Sequence, residues 1–528
     1  MLLAGLLAAL SFPNPVGTSL QWSGGSLAFF CLIPLFSLDP RMTFSQAWKS
    51  GFVFGMVYFG SSTIWMAFMP AMHPLGPLAW LTLSAYLAVY TGVFLWGYRR
   101  LLAAGVPGWS AAVTLWLGLE YVRNFMISGF PWVMLGMAHY QNPWMLALAP
   151  VTGVWGASAA TVLVNYGLYA VLRRIWPGIF QSPVAGETRP NRLRLAGLAA
   201  LILFVTLLAI ASDRQLKKHP GSTPLVAAAL QGNIDQNQVW DQSYQRRTLK
   251  KFGRLTAQAA AQGARLTVWP ETAFPGIFSL DREPAQVVRE WSGRWRLTQL
   301  VGTDEVEPDA AEGYLYYNSV VALDESGRVS GATSKKHLVP FGEYVPFKDS
   351  VFSLIHKVVR RYGGAGFTPA RKRDLLPWIT SGERHWVAAL ICFESLFPAY
   401  AAQLTRRGAE ILVVVTNDAW FGHSAAPALH ASFSAFRAAE NGRFLVRTAS
   451  TGISAIYDPR GRLLSILPLG QSGTVVANVR PRQTLTWFAR WGDWLCGIVG
   501  FMLLWDLLFI GVRAINNKRR AGKGSRSS

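Results

Sequence analysis

Long apolar stretches without charged residues dominate the first 212 residues and recur once near the carboxyl end. A helix needs about 20 apolar residues to cross the hydrocarbon core of a bilayer. Such stretches predict eight membrane spans, near residues 1–14, 20–38, 50–69, 78–98, 105–120, 150–172, 195–212 and 494–512. The apolar segment 124–149 is interrupted by Gly and Pro, so we expect it to be interfacial or re-entrant rather than another crossing.

The pattern changes between residues 213 and 490, where short apolar runs alternate with polar, amphipathic stretches. The predicted buried strands are 225–234, 265–271, 298–305, 386–394 and 409–418, with hairpins at 314–333 and 452–467 and helices at 241–262 and 428–443. Strands that are buried on both faces and alternate with helices favour a layered α/β domain. In such domains, ligands bind at the carboxyl ends of the strands.

Basic residues in the short loops predict the orientation of the chain, because such loops stay in the cytoplasm. They are Arg41, Lys49, Arg99, Arg100, Arg173, Arg174, Arg189, Arg192 and Arg194, and the loops near 15 and 73 have none. We therefore expect spans 1–7 within residues 1–212, the α/β domain at 213–490 outside the cytoplasm, span 8 at 491–513, and a basic cytoplasmic tail at 514–528.

Composition narrows the possible classes of protein. Of the 528 residues, 51% are hydrophobic and only 15% are charged, which is too apolar for one soluble domain. The net charge of +22 is spread over loops and the tail without a nucleic-acid-binding module, so anionic lipid is a better partner than nucleic acid. The three cysteines are Cys31, Cys392 and Cys496, and the first and last lie in apolar segments, which argues against disulfides.

Three reactive side chains occur at or just after predicted strand ends: Glu271 in "TVWPETAFP", Lys335 in "TSKKHLVPFGEYVPF" and Cys392 in "LICFES". Singly, each has an ordinary explanation, since a buried Cys packs, a Glu caps a helix and a Lys is solvated. Together they could form a catalytic group, because a thiol with a pKa of about 8.5 needs a base and a positive neighbour to act as a nucleophile.

The order Glu, Lys, Cys at strand ends resembles the nitrilase (carbon–nitrogen hydrolase) superfamily, whose catalytic triad is Glu-Lys-Cys. One branch, the apolipoprotein N-acyltransferases, is similar in "QGNI…W" (231–240), "WPET" (269–272), "K-x-HLVPFGEYVP" (335–346), "ICFES" (391–395), "TNDAWFG" (416–422) and the membrane-part motif "SGFPW" (128–132). The resemblance implies a polytopic helical membrane domain of about eight spans with an inserted nitrilase-like α/β sandwich in four layers (αββα).

The resemblance also implies roles for the three reactive residues. Glu271 would be the general base, Lys335 the stabiliser of the thiolate and of the oxyanion, and Cys392 the nucleophile. Lys335 is preferred to Lys336 because one residue separates the family's lysine from the His of "HLVPFGE".

Three further positions match family residues associated with activity. Glu343 would orient the lysine or share its proton, and the alternative is a carboxylate that satisfies the turn around it. Glu394 and Trp240 match two others, and Trp240 can equally be a buried aromatic residue. Phe393 stands where the family often has tyrosine, which removes a hydroxyl next to the nucleophile.

The function implied is transfer of an acyl group from a phospholipid, through a Cys392 thioester, to the α-amine of the N-terminal diacylglyceryl-cysteine of a lipoprotein. This is the last step of lipoprotein maturation, and it implies a bacterial inner-membrane enzyme with a periplasmic catalytic domain. We expect a monomer without cofactor or metal, with the segment 352–367 as either an interfacial loop or an ordinary surface helix.

Two other functions are compatible with parts of the pattern. A membrane-anchored amidase of nitrilase type would use the same three residues but release its acyl group to water. A transporter or receptor whose outer domain only binds ligand would explain the spans, but it has no need of Glu, Lys and Cys at three strand ends.

Overall fold

The computed structural model describes residues 1–14, 19–22, 24–39, 42–69, 74–180, 192–219, 221–234, 242–310, 313–345, 366–371, 374–380 and 382–508. Trp240, most of the segment 352–367 and the basic tail lie outside these residues.

The membrane part is built from helices that mostly coincide with the predicted spans. Their bounds are Leu2–Leu10, Ile33–Phe36, Phe44–Ser62, Gly76–Ala103, Gly108–Arg123, Pro143–Leu146, Ala149–Thr152, Val154–Ile175, Arg192–Lys218 and Trp494–Leu508. Among the described residues, three helices are long and apolar enough to cross a membrane, namely Gly76–Ala103, Val154–Ile175 and Ala199–Lys218. Membrane helices are thus present where spans were predicted at 78–98, 150–172 and 195–212, while the total of eight stays a prediction.

Two apolar segments of the membrane part are not continuous helices. The stretch predicted as a span at 20–38 forms a 3₁₀ helix at Gly24–Phe29 and a single turn at Ile33–Phe36, where Pro34 cannot donate a backbone hydrogen bond. The segment 124–149 contains only short helices, including 3₁₀ turns at Met126–Ser128 and Leu135–His139. Apolar character over 20 residues therefore does not by itself produce one long helix.

Small residues allow the two central helices, Phe44–Ser62 and Gly76–Ala103, to pack closely. A Cβ atom on Gly55 would lie 2.0 Å from Thr91 Oγ1 and 2.7 Å from Ala88 Cα, so only glycine fits at this crossing. Thr43 caps the first of these helices by accepting a hydrogen bond from the Gln46 backbone amide at 3.2 Å. Close backbone approach of this kind is how helices associate in lipid.

The domain after the membrane part contains two six-stranded sheets. The strands are β1 Leu225–Gln231, β2 Leu266–Val268, β3 Thr298–Asp309, β4 Gly313–Leu323, β5 Val329–Ser334, β6 Leu376–Thr380, β7 Glu383–Ile391, β8 Ile411–Thr416, β9 Leu445–Ala449, β10 Ser454–Tyr457, β11 Leu463–Leu467 and β12 Gly473–Val479. One sheet has the order β12-β1-β2-β3-β4-β5, and the other has the order β11-β10-β9-β8-β7-β6.

The sheets pack face to face with helices on both outer sides. Ala227, Leu300, Val387 and Val413 are among the residues from both sheets that form one buried core between them. The outer face of the first sheet is covered by Gln242–Ala261 and Arg282–Trp295, and that of the second by Pro398–Arg406 and Ala426–Asn441. The predicted four-layer α/β sandwich is therefore confirmed.

The apolar residues under the second sheet continue without a break into the membrane part. Leu390 and Val414 belong to the same buried cluster as Phe433 and, from the membrane helices, Leu117 and Trp155. The α/β domain therefore packs against the membrane helices through the outer side of its second sheet.

Parallel pairing brings several strand ends to one edge of the sandwich. In the second sheet β7, β8 and β9 are parallel, with Ile391 opposite Val415, and in the first sheet β1, β2 and β3 are parallel. Glu271 follows β2, Cys392 follows β7 and Asn417 follows β8. These side chains therefore meet where the two sheets face each other.

Candidate active site

Cys392 is the first residue after β7 and begins the 3₁₀ helix Cys392–Leu396. Its backbone φ is 52°, which is in the left-handed region that residues with a side chain rarely adopt. Its side chain packs against the buried core between the two sheets. The sharp turn out of β7 thus directs the thiol into the space between the two sheets.

Glu271 is buried, and both of its oxygens are held by other residues. Oε1 accepts hydrogen bonds from Asn318 Nδ2 at 2.6 Å and Lys335 Nζ at 3.1 Å, and Oε2 accepts one from the Asn417 amide at 2.7 Å. A carboxylate fixed at both oxygens presents its remaining lone pairs in a defined direction, as a general base requires.

Lys335 follows β5 and is only 1% exposed. Its ammonium group lies 2.7 Å from Glu343 Oε1 and 3.1 Å from Glu271 Oε1. Glu343 is fixed in turn, because its Oε2 accepts the Val339 amide at 2.8 Å. Lys336, the neighbouring alternative, instead donates its backbone amide to Glu394 at 2.7 Å. The structure thus places Lys335, with Glu271 and Glu343, in one buried cluster.

The charges in this cluster determine the protonation states. Burial raises the pKa of the Cys392 thiol and the negative Glu271 adds to this effect, while Lys335 opposes it. Burial opposes the Lys335 ammonium, but Glu271 and Glu343 outweigh it and raise the pKa of Lys335 well above its ordinary value. Burial, with Glu271, also raises the pKa of Glu343 despite the adjacent lysine. The resting site therefore holds a neutral thiol beside a cationic lysine.

Asn318 on β4 is a member of the cluster that sequence analysis missed. Its side-chain amide donates to Glu271 at 2.6 Å and faces Glu343 at 3.4 Å, so it bridges the two carboxylates. Its partners are 25 and 47 residues away in sequence, and no local pattern around "YYNSV" distinguishes it. Only the register that pairs β4 with β3 and β5 brings it into the site.

Glu394 connects the strand that carries the nucleophile with the loop that carries the lysine. Its Oε2 accepts the Ile391 amide at 2.9 Å, and its Oε1 accepts the amides of Lys336 at 2.7 Å and His337 at 3.1 Å. It is fully buried, and its hydrogen bonds hold the two segments together. Phe393, where the family often has tyrosine, packs edge-on against Phe397 with 5.2 Å between ring centroids.

The membrane-part segment "SGFPW" contacts the loops of the site. Ser128 Oγ hydrogen-bonds the Tyr344 hydroxyl, next to Glu343 in sequence. Trp132 packs against Phe421 with 6.1 Å between ring centroids. The candidate site therefore lies at the boundary between the catalytic domain and the helices. Within the described ranges, no group of three or more His, Cys, Asp or Glu side chains is arranged to hold a metal ion.

The four-layer sandwich is formed by the part of the chain, residues 226–487, that matches the sequence profile of the carbon–nitrogen hydrolase family. A second profile, that of the apolipoprotein N-acyltransferase N-terminal domain, matches residues 4–167.

Whole-chain relatives specify the family further. Proteins named apolipoprotein N-acyltransferase from Geobacter metallireducens and Azotobacter vinelandii are 34% and 32% identical, over 94% and 89% of this chain and 92% and 87% of theirs. A solved amidase from Nesterenkonia sp. is 18% identical with a TM-score of 0.36, covering 49% of this chain and 91% of its own. The chain belongs to the apolipoprotein N-acyltransferase family and is an acyltransferase.

Proposed function

We propose that this protein transfers a fatty acyl group from a phospholipid, through a thioester on Cys392, to the α-amine of an apolipoprotein's N-terminal S-diacylglyceryl-cysteine. The observation that carries the proposal is the Lys335 ammonium, which lies 3.1 Å from Glu271 and 2.7 Å from Glu343 at the edge where Cys392 follows β7. A base, a fixed cation and a thiol at one edge of the sandwich are the groups that acyl transfer needs.

In the first half of the reaction, Glu271 takes the thiol proton while Cys392 Sγ attacks the ester carbonyl of the phospholipid. The raised pKa of the thiol means that Cys392 needs a base to remove this proton. Lys335 remains an ammonium ion and stabilises the negative oxygen of the tetrahedral intermediate. When the carbon–oxygen bond breaks, the proton on Glu271 passes to the departing lysophospholipid, and a thioester remains.

In the second half, the free α-amine of the diacylated apolipoprotein attacks the thioester carbonyl. Glu271 accepts the proton that the amine loses, and the amide forms as the carbon–sulfur bond breaks. The proton then returns from Glu271 to the Cys392 sulfur, which restores the resting enzyme. Glu343 keeps Lys335 in place through both halves, at 2.7 Å from its ammonium.

Transfer to an amine instead of water requires a site that excludes water. Aromatic side chains surround the turn that carries the nucleophile: Phe393 is 6% exposed, and His337 stacks on Phe397 with 4.7 Å between ring centroids. The helix Ala199–Lys218 exposes most of its apolar side chains, as a helix in contact with lipid does, and the loops of the site contact the membrane part through Tyr344 and Ser128. These features support a membrane substrate.

From the basic residues of the short loops we infer that the catalytic domain lies on the periplasmic side of the inner membrane of a bacterium. We also propose that the enzyme is a monomer. An impermeant thiol reagent tests this orientation. The native cysteines are replaced, and a single cysteine is introduced at an exposed site such as Glu383. Labelling of intact spheroplasts supports the periplasmic assignment, and labelling only after lysis contradicts it.

The central test is incubation of the purified enzyme with acyl-labelled phospholipid, followed by mass analysis of the Cys392 peptide and of an added diacylated lipopeptide. A thioester on Cys392 and an N-acylated lipopeptide support the proposal. Free fatty acid without N-acylation would instead indicate a hydrolase. Cys31→Ala and Cys496→Ala are matched controls, because both of these thiols are buried elsewhere and should leave the signals intact.

A further inference from the structure

Three buried polar side chains form a chain of hydrogen bonds directly behind the nucleophile. Asp418 Oδ1 lies 2.9 Å from His430 Nδ1, His430 Nε2 lies 3.0 Å from Ser395 Oγ, and Ser395 Oγ donates to the Cys392 carbonyl oxygen at 2.7 Å. His430 Nε2 is also 3.3 Å from that carbonyl oxygen. The three residues come from three different elements and converge on one backbone group.

These residue types are those of a serine hydrolase triad, but the direction of the serine hydroxyl excludes that role. Asp418 and Ser395 are fully buried, and His430 is only 1% exposed. The Ser395 hydroxyl points at the backbone of Cys392 rather than at open space. The chain therefore acts on the nucleophile's main chain.

The backbone of Cys392 needs such support. Its φ of 52° is unfavourable for any residue with a Cβ atom, and residues in this region persist only where their surroundings hold them. Two contacts to its carbonyl oxygen, from Ser395 and His430, define the direction of the peptide that follows the thiol. A change in that direction would rotate the thiol relative to Glu271 and Lys335.

The far end of the chain is firmly anchored. Asp418 accepts hydrogen bonds from Arg447 Nη2 at 2.8 Å and Thr416 Oγ1 at 2.9 Å. Burial opposes the carboxylate, but Arg447 and His430 outweigh it and lower the pKa of Asp418. An ionised Asp418 can only accept, and its Oδ1 and Arg447 Nη2 lie 2.9 Å and 3.2 Å from His430 Nδ1, which fixes the orientation of the ring. Trp132 of the membrane part covers that ring at 5.6 Å between centroids.

We propose that Asp418, His430 and Ser395 are positioning residues that aim the Cys392 thiol at Glu271 and Lys335. This inference rests on the proposed function, because it takes Cys392 as the acyl-carrying nucleophile. The three residues touch no substrate, so they should govern how fast the thiol reacts and leave substrate binding unchanged.

The test compares two replacements of His430 in the full-length enzyme. The amide of His430→Gln reaches about as far as Nε2 and keeps a partner for Ser395, whereas that of His430→Asn reaches only the Nδ1 position. We expect kcat to fall between about tenfold and a hundredfold in H430N and by less than about threefold in H430Q, with both KM values unchanged. Thermal unfolding should show equal stability of the two variants.

Ser395→Ala provides an independent variant, because it removes one hydroxyl and leaves Asp418, His430 and Arg447 in place. It should lower kcat about tenfold, with the rate of thioester formation from labelled phospholipid reduced to the same extent. Wild-type kcat in both H430N and S395A would overturn the proposal. Equal losses in H430N and H430Q, accompanied by equal losses of stability, would overturn it as well.

A matched control is available on β7, the strand that leads to Cys392. His385 on β7 also pairs with a buried carboxylate, Glu410, at 3.0 Å, but it lies seven residues before Cys392. His385→Asn should leave kcat near that of the wild type. This result would show that the loss of a buried His–carboxylate pair does not by itself lower kcat.

Cys392→Ala separates the two proposals. If C392A still transfers acyl groups, the proposed function is wrong. If C392A is inactive and H430N is fully active, only the positioning role is wrong.

Discussion

Lys335 Nζ lies 2.7 Å from Glu343 Oε1, closer than the 3.1 Å that separates it from Glu271 Oε1. The lysine thus has a dedicated carboxylate partner besides the proposed base. Glu271 and Glu343 together stabilise the buried ammonium. The contribution of Glu343 can be tested directly.

Glu343→Gln should reduce kcat by about 10- to 100-fold with little change in KM, because the amide keeps the volume but loses the charge that holds the ammonium. Initial rates of lipopeptide N-acylation at varied substrate concentrations measure both constants. Glu383→Gln is the matched control, since Glu383 is 72% exposed on the same domain. Equal activity of E343Q and E383Q would show that Glu343 is not needed.

Asn318→Asp should be more harmful than Asn318→Ala. The alanine variant loses the donor that lies 2.6 Å from Glu271, and the aspartate variant also places a third carboxylate between Glu271 and Glu343. We expect a loss of about tenfold in kcat for N318A and a larger loss, with a shifted pH profile, for N318D. Measurement of kcat between pH 6 and 9 distinguishes them, and coinciding profiles for both variants would contradict this reasoning.

Asp304 should make stability depend on pH. Burial, and then the charges of Glu271, Glu343 and Glu305, raise its pKa to about 7. An acid whose pKa is raised by folding stabilises the protein while it is protonated, so this contribution is lost as pH rises toward 7. The free energy of unfolding of Asp304→Asn, relative to that of the wild type, should therefore rise between about pH 4 and 7. Above that range the difference between the two proteins should stay constant.

Thermal unfolding in detergent at pH 5 and pH 8 measures this difference. The advantage of D304N should be larger at pH 8 by on the order of 2 kcal/mol, since one pKa unit corresponds to about 1.4 kcal/mol. The same advantage at both pH values would show that Asp304 does not titrate in this range.

Glu394→Gln should destabilise the protein by about 2–3 kcal/mol, because one acceptor oxygen becomes an NH₂ group facing buried backbone N–H donors. Tyr400→Phe removes a single hydrogen bond to the same carboxylate, 3.2 Å long, and should cost only about 1 kcal/mol. Unfolding temperatures of the two variants provide the comparison. A Y400F variant less stable than E394Q would show that the backbone amides are not the main partners of Glu394.

Sequence analysis located the strands that carry the site better than the strands at its periphery. The runs before Glu271 and Cys392 were predicted, because buried parallel strands are continuous apolar runs. Strands β6, β9 and β12 were not predicted. Arg447 interrupts the apolar run of β9, and its buried charge is explained only by Asp418, which lies 29 residues away in sequence.

The α/β domain, the presence of membrane helices, the family resemblance and the candidates Glu271, Lys335 and Cys392 could all be predicted from the amino-acid sequence. These predictions depend on local apolar patterns and on motifs that can be read within a few residues. The folded chain was needed to find that Glu343 partners Lys335, that Asn318 bridges two carboxylates and that Asp418, His430 and Ser395 converge on the Cys392 carbonyl. Such contacts join residues from different strands and loops, and their geometry is set by strand register and sheet packing, which a linear pattern does not encode.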